Sequence, residues 1–188
     1  MTTQTWNLDT THSSIAFTVR HMVVAKVHGR FARYEGTLTL PEGELGAANL
    51  ARGSVDVSID TASIDTQVEA RDNHLRSPDF FDAATFPRIT FRSTGVKREA
   101  GEGALRITGE LTLRGITRPV ELQAEFLGHM KDPFGTERIA FSASTRIDRK
   151  DFGLTWNQAL EAGGVLVGDR IDISVELQAV RAAAAKAA

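Results

Sequence analysis

The residues with chemical potential are histidines, carboxylates and a few arginines. Asp72 and His74 stand two apart in the run Arg71-Asp72-Asn73-His74. As an acid–base pair they would act on a lipid-like substrate. No serine or other nucleophile is identifiable beside them, and a triad cannot be read from residue types alone. The other reading is structural, with Arg71 anchoring its segment and Asp72 paired to a neighbouring rim. The five histidines His12, His21, His28, His74 and His129 form no His-x-x-x-His or Glu-rich pattern, so no metal site is expected. His12 reads as part of an N-terminal turn with its ring bonded to backbone. His21 has two readings, a hydrogen-bonded core histidine or a contact for the polar head of a bound molecule. The chain has no cysteine, which excludes disulfides, thiolate nucleophiles and cysteine-held metals. Gly153 and the pair Gly163-Gly164 lack phosphate-loop spacing, so neither a nucleotide site nor any other cofactor is expected.

The elements that must position these groups are strands. Ile15, Phe17, Val19 and His21 share one parity, and Val55, Val57 and Ile59 another such column. The pattern recurs at Ile89 and Phe91, at Leu105, Ile107, Leu111 and Leu113, and at Val120, Leu122, Ala124 and Phe126. It returns at Ile139, Phe141 and Ala143, and finally from Ile171 to Ala179. A further strand near Gly29 to Leu40 changes parity between Phe31 and Leu38, and Gly36 between them predicts a bulge or kink. Eight half-buried antiparallel strands follow, compatible with an up-and-down barrel or a two-sheet sandwich. Aromatic residues concentrate on the apolar faces at Phe17, Phe31, Phe91, Phe126 and Phe141. The small residues Gly109, Ala124, Ala143 and Ala179 share those columns and either leave room for a guest or offset neighbouring rings.

Two insertions break the rhythm. In the first, about Thr61 to Phe86, Thr66-Gln67-Val68-Glu69 matches a capping box and predicts a helix to about Arg76, stopping before Pro78. It would turn Val68 and Leu75 to one side and, with Phe80 and Phe81, act as a lid over one barrel end. The second insertion, Arg149 to Gly168, carries Phe152, Leu154 and Trp156 and would close an opening too. Its charged start, Asp148-Arg149-Lys150-Asp151, reads as exposed.

With 188 residues, 41% hydrophobic and 24% charged, the chain reads as one all-β domain over residues 1–180 and an alanine-rich tail over 181–188. A net charge of -2 supplies no field for polyphosphate, so nucleic acid is not an expected partner. The first residues show neither a basic start nor an apolar run, and no stretch suits a membrane helix. The expectation is a cytoplasmic, non-spanning protein.

Several motifs resemble the YceI-like family. They are Leu8-Asp9-Thr10-Thr11-His12-Ser13 with Phe17 and His21, Gly29-Arg30-Phe31, Ser63-Ile64-Asp65-Thr66, and Arg71 through Asp82. Phe86-Pro87 with Ile89 and Phe91, Gly109 through Val120, and Asp151-Phe152-Gly153-Leu154 complete the match, in order and over nearly the whole chain. The resemblance implies a lipocalin-like eight-stranded barrel with a tunnel for polyisoprenoid or related long-chain lipids such as isoprenoid quinones. It implies no settled catalytic residue, and it implies that the chain can pair as a homodimer through a barrel edge or outer face. Many relatives are periplasmic, which differs from the location expected here. The function expected is carriage or storage of an apolar lipid without catalysis. The expected wall and rim are Phe17, Val19, His21, Phe31, Arg71, His74, Leu75, Phe80, Phe91, Leu111, Phe126, Phe141, Phe152 and Trp156, with His21, Arg71 and His74 set to meet a head group. A solid barrel serving only as an interaction module is the remaining alternative.

Overall fold

The computed structural model describes residues 2–22, 24–159, 161 and 164–182. Its strands are β1 (Thr3–Leu8), β2 (Ser14–His21), β3 (Ala25–Phe31), β4 (Tyr34–Pro41), β5 (Ser54–Asp60) and β6 (Ile64–Asp65). They continue with β7 (Arg88–Arg98), β8 (Ala104–Leu113), β9 (Ile116–Lys131), β10 (Glu137–Asp148) and β11 (Val167–Arg181). Two helices, α1 (Ala47–Leu50) and α2 (Glu69–Arg76), and two short 3-10 turns, Thr61–Ser63 and Arg149–Phe152, occupy the connections.

The strands build eight staves. β1 and β2 lie end to end along the long β11, Leu8 opposite Ala179 and Ser14 opposite Glu176. β3 and β4 are likewise halves of one stave, interrupted at Ala32 and Arg33. The ladder runs β1-β4-β5-β7-β8-β9-β10-β11 and closes through β1 with β11. That seam distinguishes a barrel from a sandwich, and closure removes most sheet edges. The Thr3–Leu8 strand escaped the sequence reading, although Gln4 and Trp6 are buried between exposed Thr3, Thr5 and Asn7.

The expected bulge at Gly36 is absent. β4 pairs with β5 without interruption through Gly36 opposite Val57, and parity changes instead at Ala32-Arg33. Gly36 is small for another reason: a Cβ there would lie 2.7 Å from the Asp56 carbonyl oxygen. Register shifts do occur between Ser93 and Gly95, between Ala140 and Phe141, and between Val167 and Ile171. The first lets Phe91 and Val96, of opposite parity, both face the interior. At two sites an aromatic ring lies across a bare glycine of the adjacent strand. A Cβ on Gly29 would meet Phe17 at 2.3 Å, and one on Gly109 would meet Phe91 at 2.4 Å.

The interior contains two hydrophobic clusters. Trp6, Leu38, Leu40, Leu50, Leu105, Ile139, Phe141 and Ala179 pack towards the α1 end. Ile15, Ile59, Phe80, Ile89, Leu113, Phe152 and Leu154 pack towards the α2 end. β11 runs through Arg181, and the Ala182 N–H still bonds to the Thr5 carbonyl, so the alanine-rich tail begins later than the sequence suggested; residues 183–188 lie outside the described ones.

α2 ends at Arg76 as its sequence predicts, but the capping box does not form. Val68 is the N-cap and offers no side-chain bond. The Thr66 hydroxyl donates to Asp72 Oδ1 at 2.5 Å, and the Thr66 N–H reaches the same oxygen at 2.9 Å. The buried Asp72 carboxylate takes the Thr66 N–H that Glu69 would accept in a capping box, and the Thr66 hydroxyl donates to it instead of accepting from the helix. Val68 is 46% exposed and anchors nothing, leaving Leu75 as the inward apolar residue of the helix.

Candidate ligand cavity

A cavity of about 240 Å³ runs inside the barrel and touches both clusters. Leu40, Leu50 and Gly53 bound it at the α1 end; Leu75, Phe80, Phe81 and Phe152 bound it at the α2 end. Among the described residues that line it, polar side chains are limited to Ser54, Thr145 and Arg149. Ala124 and Ala143 leave width along the wall.

Nine of the sequence-selected residues form part of this wall: Phe17, Val19, Phe31, Leu75, Phe80, Phe91, Leu111, Phe141 and Phe152. The others sit elsewhere. His21 ends β2, half-buried opposite Val167 and beyond the lining, because the column it belongs to leaves the cavity at Val19. Phe126 packs behind Phe141, ring centres 5.2 Å apart. Arg71 is bound to the loop before its own helix, Nε to the Thr66 hydroxyl at 2.7 Å and a terminal nitrogen to the Thr66 carbonyl at 2.8 Å.

His74 and Trp156 join the two insertions rather than the void. The imidazole is edge-on to Trp156 at 4.7 Å and to Phe80 at 5.0 Å, and Nε2 pairs with Asp79 at 2.9 Å. Asp72 is engaged with Thr66 and His74 with Asp79, so the two do not form an acid–base couple. His12 is bonded to the Asp9 carboxylate at 2.9 Å, not to backbone. Among the described residues no group of three or more His, Cys, Asp or Glu is placed to hold a metal ion.

Arg149 overturns its expected exposure. It is 4% exposed and touches the cavity. Nε donates to the Gly168 carbonyl at 3.0 Å, one terminal nitrogen to Leu154 and Trp156 at 2.5 and 2.9 Å, and the other to Asp169 at 3.2 Å and the Val167 carbonyl at 3.4 Å, which uses all five N–H groups. Desolvation pushes its pKa below the ordinary arginine value, opposed by Asp169 and Asp148. The guanidinium is saturated by these acceptors and clips the second insertion over the barrel. The sequence held the signal: Arg149 continues the parity of Ile139, Phe141, Ala143 and Ile147. Arg114 acts alongside it from the β8–β9 turn, bonding to the Gly153 carbonyl at 2.6 Å and to Pro78 at 2.9 Å. Arg76 secures α2 to the carbonyls of Ala62 and Ile64, each at 2.8 Å. One barrel end is therefore closed by arginines bonded to backbone oxygens.

Residues 6–179 match the model of the YceI-like domain. The chain belongs to the YceI-like family. The YceI protein of Salmonella newport is 42% identical over 144 residues, covering 77% of this chain and 72% of that protein. Among solved structures, Burkholderia cenocepacia BcnA superposes with a TM-score of 0.75 at 23% identity, covering 91% of this chain and 98% of its own. A polyisoprenoid binding domain from Saccharophagus degradans, implicated in plant cell wall breakdown, gives a TM-score of 0.66 at 18% identity, over 94% of this chain and 98% of its own. At these identities the two structures establish the YceI-like barrel fold alone.

Proposed function

We propose that this YceI-like chain holds one elongated apolar molecule of the polyisoprenoid or isoprenoid-quinone class along its barrel axis, for carriage or storage and without chemical conversion. The observation that carries the reading is one cavity touching the apolar clusters at both ends of the barrel. A compact ligand would need only one of them. Burial of each methylene contributes ~0.8 kcal/mol, so about ten carbons yield roughly 8 kcal/mol before ordering costs. Polar contacts are then needed for orientation and not for affinity. The polyisoprenoid binding of the Saccharophagus neighbour supports the ligand class.

The free volume of about 240 Å³ lies under the roughly 300–1,000 Å³ of small-ligand pockets, so a long chain requires an end of the barrel to yield. Arg149 has no donor left over, and His21, Arg71 and His74 stand outside the lining, so a head group would rest beyond the cavity mouth. The test is extraction of the purified protein with organic solvent followed by mass spectrometry, together with titration of a fluorescent polyprenyl probe. A co-purified isoprenoid or saturable probe uptake is expected. Lipid-free protein that also ignores the probe overturns the reading.

A further inference from the structure

The β2–β3 turn and the loop before β11 meet at the α2 end. The Met22 N–H donates to the Leu166 carbonyl at 2.9 Å, which sets Met22 beside Val165. Met22, Val24 and Val165 are 48%, 84% and 42% exposed. Met22 is also held at φ 51°, a left-handed conformation that a methionine rarely adopts. Grouped apolar side chains on a surface mark a site of contact. Here the group adjoins the cavity, since Val19 near the end of β2 and Val167 at the start of β11 line it.

The charge around the tip selects its partner. Residues 14–31 contain no carboxylate, and of their cations Arg30 is spent on Asp65 at 3.0 Å and lies away from the tip, opposite Ala16. Arg20 and Lys26 face each other across the hairpin. Arg170 is exposed near the start of β11, and Asp169 beside it is held by Arg149 and Lys150. An apolar tip in a cationic collar suits the interface of an anionic bilayer, where the side chains enter among the acyl chains and the cations meet phosphate. A second copy joined by a two-fold axis would instead oppose like charges.

We propose that the Met22–Val24–Val165 tip seats the α2 end of the barrel in an anionic membrane surface, giving the apolar ligand a continuous path between bilayer and cavity. Its purpose rests on the lipid-binding reading above; its contact surface does not.

The experiment is flotation of the full chain with phosphatidylcholine vesicles, with and without phosphatidylglycerol, at low and high salt. Wild type is expected to float with the anionic vesicles and to detach in salt. The triple variant Met22→Ser, Val24→Ser, Val165→Ser should lose binding on the order of tenfold or more, and Phe134→Ser, an exposed apolar change at the opposite end, should not. Uptake of a polyprenyl probe added from ethanol is measured on the same proteins. Probe uptake without flotation overturns the membrane contact and spares the ligand reading; flotation without uptake does the reverse. Equal flotation of wild type and the triple variant, or a tip-dependent dimer in sedimentation with no vesicle binding, also overturns the contact.

Discussion

Asp72 receives both the backbone N–H and the hydroxyl of Thr66 on one carboxylate oxygen, at 2.9 and 2.5 Å, inside a buried turn. Asp72→Ala would strand the Thr66 amide and is expected to lower unfolding free energy by about 2–3 kcal/mol in urea titrations. Asp72→Asn keeps an acceptor in place and should cost distinctly less. A variant Asp72→Ala of unchanged stability would disprove this structural role.

Arg149→Met keeps much of the side-chain volume and removes every donor to the carbonyls of Leu154, Trp156 and Gly168. A loss of roughly 2–4 kcal/mol is expected. Hydrogen exchange should accelerate across 154–168 before it does in β7 to β9. Uniform acceleration over the whole sheet would show that Arg149 supports the barrel rather than the closure.

Ala143→Phe directs a ring into the free volume. Displacing about two ligand methylenes weakens probe binding on the order of tenfold, while overpacking costs about 1–3 kcal/mol of stability. Unchanged probe affinity in a folded Ala143→Phe protein would place the ligand elsewhere.

Asp9 ties the junction of β1 and β2 to Arg138, which lies 2.5 Å from it and also pairs with Asp132 at 3.0 Å. The Arg138 bond is the largest influence on Asp9, and its pKa falls from 3.8 to about 2. A carboxylate lowered in the folded state stabilises above its unfolded value, and that contribution disappears as pH falls through the folded value. The stability gap between wild type and Asp9→Asn should therefore be constant above about pH 5 and shrink between pH 3.8 and about 2. A gap independent of pH throughout that window would rule this linkage out.

The alternation that exposes a strand to the reader is local, and so the staves carrying Val120 to Phe126 or Ile171 to Ala179 were legible in the residues. Closure was not, because Trp6 meets Arg181 only after the chain has gone once around. Local patterns also misled where two acceptors compete. Thr66 and Glu69 have the spacing of a cap, yet the stronger acceptor was Asp72. Glycine at Gly36 suggested a kink, whereas the parity change fell at Ala32-Arg33, which carries no such mark. In the cavity wall the aromatic columns were readable to the point where β2 leaves the interior, hence Phe17 and Val19 within and His21 beyond. Arg149 was obscured by its charged neighbours, although its parity placed it inside.

Because β1 must zip onto β11, the first and last strands of the barrel share one seam. While synthesis proceeds the nascent sheet is a trough open along its length, and long-range closure of this kind is slow. On the proposed lipid-binding reading, an oily guest already present would be wrapped during that interval, entering from the side before any gate exists.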